Sequence, residues 1–127
     1  MAERILRISF EGTYGLLHET AKRTIDIFKY TNGEYYYKFS RLNESLDKIT
    51  TKKRMDSNKI TEIITMLSEI QIPAFPIHEM GCDGGFTEIE VGDYAGKSHF
   101  RWWSCPPLGW EKLDEITQRI IDDIENA

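Results

Sequence analysis

The chain has 127 residues, 40% hydrophobic and 29% charged, which is an ordinary globular balance in the length of one domain. Aromatic side chains make up 12%, which argues against disorder, and no stretch approaches the roughly 18 apolar residues of a membrane span. The net charge of -5 is unevenly spread: residues 1 to 59 hold 12 basic and 8 acidic side chains, residues 60 to 127 only 4 basic and 13 acidic.

The opening residues have neither the apolar core nor the small-residue cleavage site of a secretory signal, so the expectation is a cytoplasmic chain with Cys82 and Cys105 reduced. Glu3 to Phe10 is predicted as a strand, broken by Gly12 and Gly15. Thr20 to Tyr30 alternates Ile25 and Ile27 with polar residues, the period of a half-buried strand. Thr31-Asn32-Gly33 then signals a hairpin, and Glu34 to Leu42 returns as a strand with Tyr35, Tyr37 and Phe39 on one face.

From Asn43 the pattern fades, and the threonine- and lysine-rich stretch Lys48 to Arg54 is expected to be an exposed loop. Asp56 or Ser57 can cap the helix that follows, whose apolar stripe is Ile60, Ile63, Ile64, Leu67 and Ile70. Pro73 and Pro76 stop it. Gly81 to Gly85 forms a turn, Phe86 to Val91 alternates as a strand, Gly92 to Gly96 turns again, and Lys97 to Trp103 is the fifth strand. Ser104 to Gly109 is a rigid connector, and Trp110 or Glu111 opens a last helix striped by Leu113, Ile116, Ile120, Ile121 and Ile124. The order β-β-β-α-β-β-α, with short links between strands, predicts a single-domain α+β fold over residues 1 to 127. It has an antiparallel sheet of about five strands and two amphipathic helices on one face.

Candidate chemistry is sparse. His78, Cys82, His99 and Cys105 have the residue types of a zinc site, but their spacing is unfamiliar, so neither a metal nor another cofactor is expected. A cysteine nucleophile at Cys82 would be raised in pKa by Asp83 beside it, and no catalytic residue is assigned. Gly81 to Gly85 leads into a strand and so lacks the helix N-terminus of a phosphate loop. Lys48 to Arg54 near Tyr35 to Tyr37 could touch nucleic acid, but an acidic domain makes that unlikely.

Trp102 and Trp103 must point to opposite faces of their strand. Trp102 is in phase with Phe100 and belongs to the core, while Trp103 shares a face with His99 and Arg101. Trp and Arg are enriched where proteins bind one another. The candidate surface is therefore Asp83, Glu88, Glu90, Asp93, Arg101 and Trp103, an acidic hairpin with an aromatic beside it, suited to a basic protein partner or a second copy of the chain. The rival is a small ligand or an enzyme pocket built from His78, Asp83 and His99.

Asp83-Gly84-Gly85, Trp102 through Pro107, then Trp110 and Leu113, resemble a pattern of small bacterial α+β proteins of the toxin-immunity type. In these an Asp-Gly turn leads a hairpin, and an aromatic strand runs through a proline bend into a closing helix. The resemblance covers about a quarter of the chain. It implies a fold, and a protein that neutralises a toxin by contact; it carries no catalytic residue.

Overall fold

The computed structural model describes residues 2–10, 23–42, 47–77, 85–103 and 105–126. Among them are six strands and two helices. The strands are β1 (Ala2–Phe10), β2 (Arg23–Tyr30), β3 (Tyr35–Leu42), β4 (Lys48–Met55), β5 (Phe86–Asp93) and β6 (Gly96–Trp103). Helix α1 is Ser57–Glu69 and helix α2 is Glu111–Glu125.

All six strands lie in one antiparallel sheet of order β4-β3-β2-β1-β5-β6. Its inner face is read across the register as Phe39, Ile25, Ile8, Ile89 and Phe100, with Tyr37, Ile27, Leu6 and Val91 in the next row. Both helices turn their stripes to this face. Ile60 and Ile63 of α1 and Leu113, Ile116, Ile120 and Ile124 of α2 share one buried core with the sheet. Ile64, placed on the stripe of α1 by spacing, is 38% exposed at its margin. The Asp56 side chain caps α1 by accepting from the Asn58 N–H, the partner expected of a short carboxylate there.

The number of strands is one more than expected, because Lys48 to Arg54 is a strand and not a loop. The period-2 signal of a strand exists only where one face is buried. β4 is the outermost strand, and every residue from Lys48 to Arg54 is exposed on both faces, so nothing selects apolar residues at alternate positions. What remains is the β-propensity of Ile49, Thr50 and Thr51.

The connector into α2 is fixed by contacts rather than by regular structure. The Trp110 indole N–H donates to the Pro73 carbonyl at 3.0 Å, and the Leu108 N–H donates to the Ile77 carbonyl at 3.0 Å. Trp102 lies edge-on to Trp110 with ring centres 6.2 Å apart and is 3% exposed, so it is the core tryptophan. Cys105, expected to be reduced, is disulfide-bonded. That expectation rested on compartment, which residue spacing does not encode. Cys82 lies outside the described residues.

Candidate functional site

No helix among the described residues covers the outer face of the sheet, and the chemistry-bearing side chains collect there. On β5 and β6 the register sets Phe86 opposite Trp103, Glu88 opposite Arg101 and Glu90 opposite His99. These residues occupy alternate positions and so share one face. Trp103 meets Phe86 edge-on, ring centres 4.7 Å apart. The Arg101 guanidinium lies 3.7 Å above the same Phe86 ring while its Nε reaches a Glu88 oxygen at 3.0 Å. The other Glu88 oxygen is 3.2 Å from His99 Nε2. Trp103, Phe86, Arg101, Glu88 and His99 thus form one contiguous cluster.

A second network adjoins it. Glu90 receives Arg4 Nη2 at 3.1 Å and has Lys97 Nζ at 3.7 Å. Its partial burial alone would raise the carboxyl pKa. The hydrogen bond from Arg4 and the charges of Lys97, Arg4 and His99 outweigh that, and hold the group below its ordinary value. Beyond Arg4 lies Asp26, only 6% exposed although it sits on the outer face. Arg7 grips it through Nε at 2.6 Å and Nη2 at 3.3 Å, and Arg4 approaches to 3.8 Å. The same bond raises the Arg7 pKa further.

Arg4 and Arg7 are three residues apart, which in a regular strand would put them on opposite faces. The register slips between Arg4, paired with Phe28, and Leu6, paired with Ile27. Ile5 is the extra residue of a β-bulge. The bulge resets the phase, brings both arginines to the outer face, and lets one aspartate join them.

Four of the six residues of the expected surface lie in or beside this cluster. Glu88, Glu90, Arg101 and Trp103 are on the outer face; Asp93 is at the hairpin tip, where it accepts from the Ala95 N–H; Asp83 lies outside the described residues. The two glutamates face outward as alternation predicts, but each is matched by cations from its own sheet, so the surface is of mixed charge and not an acidic stripe. Arg4, Arg7, Asp26 and Phe86 were missed. Alternation puts Asp26 and Phe86 outward, but the bulge that brings Arg4 to the same face as Arg7, and the strand pairing that joins all four, lie outside the local sequence.

Of the rival pocket, His78, Asp83 and Gly81 to Gly84 lie outside the described residues, and His99 is engaged by Glu88. Among the described residues, no three His, Cys, Asp or Glu side chains converge as a metal site would require, and no helix is long and apolar enough to cross a membrane. A groove of about 480 Å³ runs between α1 and the sheet, lined by apolar residues including Ile5, Ile64 and Val91. Glu3, Lys29, Tyr35, Ser68 and Asp93 line it as well. Neither a protein-family model nor a curated protein sequence matches this chain.

Proposed function

We propose that this chain is a non-catalytic binding protein that recognises another protein through the outer face of β5 and β6. The observation that supports it is the cluster of Trp103, Phe86, Arg101 and Glu88, on a face that no helix covers among the described residues. Trp and Arg carry a disproportionate share of binding energy where they are held rigid and surrounded by groups that exclude water. Here the sheet supplies the rigidity, and the ion pairs fix the arginine before a partner arrives, which reduces the ordering cost of association.

The partner such a face suits has carboxylates for Arg101 and Lys97, cations for Glu88 and Glu90, and an apolar patch for Trp103 and Phe86. A basic toxin domain of a bacterial cell, held by contact alone as immunity proteins hold theirs, is one such partner. Because the charges are locally balanced, specificity would come from their pattern more than from long-range steering.

The test is capture of partners from lysate of the source organism with immobilised wild-type protein and with an Arg101→Ala, Trp103→Ala variant shown to be folded. The reading expects a stoichiometric protein on the wild type that is absent from the variant. Equal capture by both would place recognition elsewhere.

A further inference from the structure

The two edge strands of the sheet, β4 and β6, differ in charge. At β6, Lys97 is bridged to Glu90 and Arg101 to Glu88, so that edge is locally balanced. At the other edge, β3 and β4 together carry Lys38, Arg41, Lys48, Lys52, Lys53 and Arg54, and neither strand holds a carboxylate. Arg54 is compensated by Glu34 at 3.3 Å, and Lys52 donates to the Tyr30 hydroxyl at 2.7 Å. Arg41, Lys48 and Lys53 form no ion pair among the described residues, and Lys38 lies opposite Asp26, which Arg7 already holds. Lys38 and Lys52 stand directly opposite one another, and Asp26 of β2 stands opposite Lys38 on its other side and offsets part of their repulsion. This excess of cations sits in a chain whose 21 acidic residues outnumber its 16 basic ones.

We propose that the edge of β4 accepts an acidic, extended segment of a partner protein as a seventh strand. Among the described residues β4 pairs with β3 alone, and all its residues from Lys48 to Arg54 are exposed, so a second row of backbone groups is open to pairing. Lysines on an edge strand ordinarily prevent aggregation, and here they would repel a second copy of the same strand. The repulsion is selective, because the cations that reject a like strand attract one bearing Asp or Glu. Lys48, Lys52 and Arg54 alternate on the outer side, which calls for carboxylates at every second position of the incoming strand. The other side carries Ile49, Thr51 and Lys53, of which the first two favour β-branched residues in the incoming strand.

Single-stranded nucleic acid is the competing polyanion, and it needs open aromatic faces on which bases stack. Tyr30 and Tyr36 instead pack on one another, ring centres 4.9 Å apart, with Lys52 Nζ lying 5.4 and 5.7 Å from the two rings. An unpaired backbone edge also offers a phosphodiester strand no ladder to join. This surface is separate from the β5–β6 face and does not depend on the function proposed for it.

The test uses the intact protein and a fluorescent peptide of alternating Glu and Val or Thr, with three comparison ligands. These are the same peptide N-methylated on the backbone at alternate residues, its Lys-for-Glu counterpart, and a single-stranded oligonucleotide of equal charge. The expectation is saturable binding of the acidic peptide, weakened roughly tenfold or more by N-methylation and absent for the lysine peptide. The amides of residues 48 to 54 should gain protection from hydrogen exchange in the complex, and Lys48→Glu with Lys52→Glu should abolish binding. Absence of binding up to about 1 mM, indifference to N-methylation, or stronger binding of the oligonucleotide would each overturn the proposal.

Discussion

Arg7 holds Asp26 from the neighbouring strand with two nitrogens, Nε at 2.6 Å and Nη2 at 3.3 Å, on the side of the sheet away from the helices. Asp26 is nearly buried, so its carboxylate has exchanged water for guanidinium. Arg7→Ala should therefore cost about 2 kcal/mol, because a desolvated charge would lose its hydrogen-bonded guanidinium and keep Arg4, at 3.8 Å, as its ion-pair partner among the described residues. Replacing both partners by uncharged residues of similar size, as in Arg7→Met with Asp26→Leu, should recover most of that loss. Urea denaturation of the two single variants and the double variant measures the coupling directly.

The acid limb of the stability curve should carry the mark of Glu90. Its pKa in the folded protein is held below the ordinary value, net of the opposing effect of burial, by Arg4 and Lys97. A depressed carboxyl contributes stability that is full above the unfolded-state pKa, about 4.3, and is lost as pH falls through the folded value. Glu90→Gln should then be less stable than wild type at pH 7, and the gap should close in strong acid. A gap that is constant with pH would mean that the charge of Glu90 contributes nothing to folding.

Two hairpin glycines should differ in their tolerance of alanine. Gly33 and Gly92 both have positive φ, 86° and 123°, but a Cβ at Gly33 meets open space whereas one at Gly92 falls 2.1 Å from the Gly96 carbonyl oxygen. Gly33→Ala should cost about 1 kcal/mol of backbone strain alone. Gly92→Ala should cost more, about 2–3 kcal/mol, since the β5–β6 turn must also open. Thermal midpoints of the two variants check the order.

The two buried tryptophans should also respond unequally to phenylalanine. Trp110 loses its hydrogen bond to the Pro73 carbonyl, while the Trp102 indole N–H has no well-formed partner among the described residues. Its influence is felt at Asp114, whose pKa burial raises and which Gln118 and Trp102 lower in part. Beyond the shared loss of ring volume, Trp110→Phe should be the more costly by about 1 kcal/mol.

Much of the fold was legible because burial imposes a period on residues. Ile25 and Ile27, or Leu113 with Ile116 and Ile120, announce a strand and a helix by spacing alone. β4 escaped notice because both its faces meet water, so only propensity and not pattern marks it. The site was legible by face but not by partner. Alternation puts Glu88, Arg101 and Trp103 outward, yet the cations that neutralise Glu90 include Arg4, from a strand 86 residues away in sequence. The bulge at Ile5 that turns Arg4 toward it follows from pairing with β2, which the local sequence does not contain.

The account stands most directly on the affinity of a partner captured with the wild-type protein, measured again with Arg101→Ala, Trp103→Ala and, as a control on the exposed side of α2, Glu115→Ala. It predicts that each of the first two weakens binding by about 2 kcal/mol, close to thirtyfold, while the control leaves it unchanged. Affinities within about threefold of wild type for both Arg101→Ala and Trp103→Ala would contradict the assignment of the β5–β6 face as the recognition surface.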